Sequence, residues 1–136
     1  MSVWEEQGVE AAVLEALHAV HLNNAGGHHF GRPYVTAYQL AIAVQAAHPE
    51  IAAALGGVTV GGRGAGAQSS LAQYLARELS GRIKRDGNSY PVEGAFVSNE
   101  HLTALIYRDA SGQAITSSLT GSGFDLSLFR ARAGAQ

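Results

Sequence analysis

SSLAQYLARELSGRIKR, residues 69–85, is the stretch whose reading decides the fold of this 136-residue chain. At about 100° per residue, Leu71, Leu75, Leu79 and Ile83 share one stripe, and Gln73, Arg77, Ser80 and Lys84 lie together on the opposite side. The spacing predicts a helix that buries the first row and presents the second. Ser70, with Gln73 three residues on, makes a capping box that opens the helix, and the DGN at 86–88 ends it. Arg82 leans toward the apolar side, so its stem is expected to cover apolar surface while its guanidinium reaches the edge. The outward row consists of donors able to contact phosphate oxygens and base edges in a major groove that admits one helix. An ordinary solvated helix face has the same composition. The choice between the two rests on what surrounds the helix.

Upstream, VEAAVLEALHAVHLN (9–23) carries Val9, Val13, Leu17 and Val20 at helical spacing and predicts an amphipathic first helix that NNAGG ends. HHFGRPYVT then reads as a loop with a short extended piece, because Pro33 bars Arg32 from helical geometry and Tyr34 and Val35 favour strand. Thr36 and Gln39 form a second capping box before AYQLAIAVQAA, and Pro49 suits the first turn of a short helix, PEIAAAL, stopped by Gly56 and Gly57. GGVTVGGRGAGAQ (56–68) reads as a flexible connection around a three-residue extended piece.

Downstream of Tyr90 the texture changes from Ala-rich to Val, Ile, Thr, Phe and Tyr. YPVEGAFVS, HLTALIYR, QAITSSL and GFDLSLFRA read as strands, and DASG (109–112) joins the middle two in a hairpin. In the last of them Phe124, Leu126 and Leu128 make one apolar face, for the core or for a partner strand. Three to four helices (about 7–86) followed by a small antiparallel sheet or hairpin (about 90–130) predict a single α+β domain over 1–136.

Composition narrows the setting. A chain of this length buries about two-thirds of its unfolded surface without metals or disulfides. No apolar run approaches the roughly twenty residues of a membrane span, and MSVWEEQGVE is acidic where a signal peptide is basic. With zero cysteines there is no disulfide or thiolate chemistry. The expected location is cytoplasmic, and the excess of Arg over the single Lys84, with abundant Ala and Gly, points to a GC-rich bacterial genome. The net charge is −2, yet it is unevenly placed. Residues 1–50 set Glu5, Glu6, Glu10, Glu15 and Glu50 against Arg32 alone, a net −4, whereas Arg63, Arg77, Arg82, Lys84 and Arg85 face only Glu78 across 63–85, a net +4. A near-neutral chain can thus present a basic patch.

PYVTAYQLAIAV, then SSLAQYLARELSGRI, then strands with a hairpin, is an order of elements that resembles the winged helix-turn-helix superfamily. There a short strand leads into a Thr-capped helix, a third helix reads DNA, and a β-hairpin wing follows. The resemblance covers most of residues 9–120 and rests locally on T-x-x-Q-L-A (36–41) and S-x-x-Q-x-L (70–75). It implies that helix 69–85 is the recognition helix, with Gln73, Arg77, Ser80 and Lys84 on its outward face. Hairpin 105–119 would be the wing, carrying Arg108. Ser69 and Ser70 at the helix start, and Arg63 before it, would touch the phosphate backbone. The implied partner is double-stranded DNA, and the implied role is a bacterial transcriptional regulator, a homodimer joined through the first helix or the last strand. PEIAAAL and the glycine stretch stand where three or four residues usually link the second and third helices. Winged helices also serve as protein-interaction modules without DNA, which is the alternative reading.

Other constellations carry less. Gly62, Gly64 and Gly66 follow Val58–Val60, but neither G-x-G-x-x-G after a full strand nor G-K-[ST] is present, so a connector is expected rather than a phosphate loop. His18 and His21 with His28, His29 and Glu15 are candidates for an imidazole-rich metal site, which defines a third reading, a small metal-binding protein or enzyme. Ser117, Ser118, Ser122 and Ser127 lie near Asp125 without G-x-S-x-G or an adjacent His. No catalytic residue and no cofactor is assigned.

Overall fold

Short local signals, side-chain caps or a Gly or Pro, set where the helices begin. Ser2 and Glu5 form a reciprocal capping box that starts α1 (Val3–Glu6), and Gly8, at φ +61°, turns the chain into α2 (Val9–His18). In the computed structural model, which describes residues 2–21, 30–62, 70–117 and 125–134, the first helix differs from its expected span of 9–23. It is preceded by α1 and stops at His18, where the last turn tightens as Ala19 N bonds both Glu15 O and Ala16 O. Arg32 Nη1 then donates to His18 O at 3.3 Å, satisfying a terminal carbonyl that a further turn would have used.

Thr36 closes β1 (Val35–Thr36) and caps α3 (Ala37–Ala47), its Oγ1 accepting from Gln39 N while Gln39 Oε1 accepts from Thr36 N at 2.7 Å. Pro49 opens α4 (Pro49–Ala54), and Gly56 and Gly57 end it with left-handed backbone at φ +98° and +79°. The 58–62 part of the glycine-rich connection is anchored. Thr59 and Ser70 form a parallel bridge, with Leu71 N donating to Thr59 O and Ala72 N to Val60 O. That seats the start of α5 (Leu71–Asp86), capped by Ser70 Oγ accepting from Gln73 N. Leu71, Leu75 and Leu79 of its apolar stripe are fully buried, each contributing about 1.5–3 kcal/mol relative to exposure.

A single 3₁₀ turn (Gly87–Ser89) leads to β2 (Val92–Val97), β3 (Ile106–Arg108), β4 (Ala114–Thr116) and β5 (Leu126–Ala131). The main sheet has the order β1-β5-β2, all antiparallel, and β3-β4 is a separate two-stranded hairpin. β5 is therefore the middle strand: Val35 and Thr36 pair with Phe129 and Leu128 on one side, and β2 pairs along its whole length on the other. The core use of the last strand is the one found, and it does not offer itself as a free strand to a partner. Buried side chains from α1 to α5, β2 and β5 join one cluster, in which Trp4, Leu17, Leu40, Ile51, Leu79 and Phe129 meet. The architecture is the expected α+β arrangement with a small antiparallel sheet in the C-terminal half, and the described residues hold five α-helices where three to four were expected. Among the described residues no helix is long and apolar enough to cross a membrane.

Candidate nucleic-acid interface

α5 holds the four residues of its outward row in register because its opposite stripe is fixed in the core. Gln73, Arg77, Ser80 and Lys84 are all exposed. Their setting is decided by where the neighbouring charges go. Glu78, the one carboxylate within the helix's first three turns, is taken by Arg82, whose guanidinium lies 4.0 Å over the Trp4 ring. Arg82 thus lies along the apolar edge as expected, and its charge is neutralised there. Arg85 pairs with Asp86 in turn. Arg77 and Lys84 have no carboxylate partner among the described residues, and Arg77 only approaches the Tyr74 ring, at 6.0 Å. The result is two unneutralised cations seven residues apart, about 10 Å along the axis.

A trough runs beside this row. Its first part, a cavity of about 280 Å³, lies between α5 and the start of α3, with Tyr38, Ser70, Gln73, Arg77, Ser80 and Ser127 on its walls. Ser80 and Ser127 also border a second cavity of about 330 Å³, which continues past Ile83 and Lys84 to Phe96 on β2. Ile83 rests on the sheet here: a Cβ added at Gly94 would stand 3.4 Å from its Cδ1. Phe96 is 70% exposed. Ser70, Gln73, Arg77 and Ser80 therefore border the first cavity and Ser80 and Lys84 the second; apolar surface predominates in both, more so in the second. Ser70 is buried, and its oxygen already accepts from Gln73 N.

Arg108 lies apart from this group, on the β3–β4 hairpin. The hairpin turns on Asp109, whose Oδ1 accepts from Ser111 N, Ser111 Oγ and Gln113 N; these bonds, the Ser111 hydroxyl first, hold its carboxyl below the usual range. Its inward face docks on the helical layer. Tyr107 stacks on Tyr38 at 5.3 Å and 17°, and a Cβ at Gly62 would meet Ile115 Cγ2 and Thr116 O, both at 2.8 Å. The Tyr107 hydroxyl is buried beside Thr36, whose oxygen already serves Gln39, and burial pushes its pKa up. By strand alternation Arg108 and Ile106, both exposed, are on the other face. Arg63 and Ser69 lie outside the described residues, as do Gly64 and Gly66.

Among the described residues the histidines do not assemble into a metal site. α2 ends at His18, so His21 falls beyond it, and His28 and His29 lie outside the described residues. Among the described residues no group of three or more ligands could hold a metal. His48 does more than start a helix. Its Nε2 is 3.3 Å from Glu15 Oε2 and its Nδ1 3.3 Å from Glu50 Oε2, tying α2 to the α3–α4 junction. The adjacency of His48 and Pro49 gave no sign of this bridge, since Glu15 is 33 residues away. Ser117 is buried, Ser127 borders the trough, and Ser118 and Ser122 lie outside the described residues. The chain matches no family model, no curated protein and no solved structure.

Proposed function

We propose that this protein is a DNA-binding protein of the winged-helix superfamily, a cytoplasmic bacterial transcriptional regulator that acts as a homodimer and lays α5 against duplex DNA. The observation that carries the reading is selective neutralisation on one helix. Arg82 and Arg85 are paired with carboxylates, while Arg77 and Lys84, on the outward row with Gln73 and Ser80, are exposed and have no carboxylate partner among the described residues. Such a row supplies phosphate contacts from its cations and a base-reading amide from Gln73. Arg108, also without a carboxylate partner among the described residues, adds a cation on the hairpin in the place of a wing. The strand before the Thr36-capped helix and the β3–β4 hairpin after α5 support the superfamily assignment. Fluorescence anisotropy of a labelled mixed-sequence duplex at two salt concentrations tests it. Binding that weakens steeply with salt is expected, from counterion release at several phosphates. No binding at low salt would leave the row an ordinary wet surface.

A second reading has its own observation. The surface beside α5 is most apolar around Ile83, Gly94 and the exposed Phe96, a composition suited to a protein partner more than to phosphates. In that case the chain is an interaction or assembly module, and Phe96→Ser abolishes partner binding while any weak duplex affinity is untouched.

A further inference from the structure

A second basic cluster lines a cavity of about 470 Å³ between the end of α2, the 30–32 segment and the end of β5. Arg32, Arg130 and Arg132 line it, and among the described residues Glu93 is the only carboxylate on its walls. Glu93 is shared, accepting from Arg130 Nε through one oxygen and from Arg132 Nη1 through the other at 3.2 Å. The Arg130 and Arg132 side chains keep only 20% and 24% of their exposure. Positive charge in excess of negative is thus held in a partly desolvated pocket, a costly arrangement unless a counter-charge enters. Backbone carbonyls absorb many of the remaining donors. Arg130 Nη1 donates to Phe30 O and Arg32 O, and Arg132 donates through Nε to Tyr90 O and through Nη2 to Gly87 O and Val92 O. Carbonyls satisfy hydrogen bonds without supplying a formal negative charge. Among the described residues Arg32 makes a single bond, from Nη1 to His18 O, and Arg130 Nη2 makes no hydrogen bond, its guanidinium lying 4.3 Å over the Tyr34 ring. A guanidinium offers five N–H donors in a planar fork that matches two oxygens of a carboxylate or phosphate.

We propose that this cavity binds a small-molecule oxyanion, a carboxylate or phosphate, gripped by the unspent donors of Arg32 and Arg130 Nη2. The size fits: small-molecule sites run from about 300 to 1,000 Å³. The assignment stands independently of what α5 touches. It is tested by calorimetric titration of the full chain with inorganic phosphate and with citrate, at an ionic strength held constant with chloride. Saturable binding of at least one is expected, weakened about ten-fold or more in Arg32→Gln, which deletes one charge-assisted contact. Amide chemical-shift mapping on the unmodified chain locates the site without any variant, with changes expected at 30–34 and 130–134 and none along 73–84. No saturable heat with either anion, undiminished affinity in Arg32→Gln, or shifts centred on α5 overturns the proposal. A mixed-sequence duplex separates the two sources of oxyanion. Duplex affinity should be unchanged by Arg32→Gln; a loss as large as that caused by Arg77→Ala would make the cavity part of a nucleic-acid surface and overturn the small-molecule assignment.

Discussion

Replacing Gly62 by Ala tests how the β3–β4 hairpin is held. Gly62 is buried at φ +108°, and an added Cβ would stand 2.8 Å from both Ile115 Cγ2 and Thr116 O. Neither neighbour is the end of a flexible chain, since one is a branched methyl and the other a strand carbonyl. The left-handed backbone costs an L-residue about 1–2 kcal/mol, and forcing a methyl into a filled contact costs about 1–3 kcal/mol more. Together these predict a loss of about 2–5 kcal/mol, a large share of the roughly 5–15 kcal/mol that stabilises a typical domain. Gly57→Ala is the control, because it has φ +79° with nothing within 4 Å of the new Cβ, so it pays only the backbone term of about 1–2 kcal/mol. Urea unfolding of both variants, followed by circular dichroism, should separate their midpoints, and thermal midpoints should drop by roughly 8–20 °C for Gly62→Ala at about 4 °C per kcal/mol. Adding Ile115→Ala to Gly62→Ala should recover part of the loss, since it removes one of the two clashing groups. Equal midpoints for Gly62→Ala and Gly57→Ala would refute the docking of the hairpin on the 58–62 segment.

Tyr90 is buried and donates to Glu10 Oε1 at 2.9 Å, so Tyr90→Phe should cost about 1.5 kcal/mol near neutral pH by urea unfolding. Burial first and the Glu10 hydrogen bond second raise its phenol pKa, which means the fold favours the protonated form. The corresponding stability is fully present below pH about 10 and is lost as pH rises above that value, so the alkaline decline in stability should be shallower in Tyr90→Phe. Trp4 is the single tryptophan, and Arg82→Ala, which uncovers its ring and frees Glu78, should shift its fluorescence and cost about 1–2 kcal/mol. If α5 contacts phosphates through Arg77 and Lys84, each single alanine variant should reduce the slope of log affinity against log salt by about 0.9, with stability unchanged.

The fold is legible in this sequence where the determining chemistry is local. The Leu71, Leu75 and Leu79 stripe, the Thr36 and Ser70 caps, Pro49 at a helix start and the 109–112 turn each depend on residues within one or two turns of each other, and each stands where the spacing placed it. The end of α2 was misplaced because Val20 continues the apolar period while Arg32, fourteen residues away, supplies the hydrogen bond that ends the helix. α1 was missed because four residues are too few for a period, although Ser2 and Glu5 did carry the capping signal. Pairings between distant segments left no periodic trace: the Tyr38–Tyr107 stack, the His48 bridge between Glu15 and Glu50, and the convergence of Arg32, Arg130 and Arg132. For the candidate interface, the outward row was visible from spacing alone. The neutralisation of Arg82 was not drawn from the sequence, although Glu78 and Arg82 stand at the i,i+4 spacing of a helical ion pair; the Trp4 ring under Arg82 comes from a distant segment and left no sign.

The central place of β5 in the sheet has a consequence for how the chain is made. β1 emerges first and its partner residues 128–129 follow some 90 positions later, an interval of roughly 5–20 s at about 5–20 residues per second of synthesis. β2 waits for the same strand. Until β5 arrives, two strands stand with unfilled ladder positions on either side of a gap, beside helices that can already pack from local contacts. The nascent chain thus spends its longest exposed interval with the sheet open, and a ribosome stalled before residue 126 holds a helical layer whose β half has no middle strand to close on.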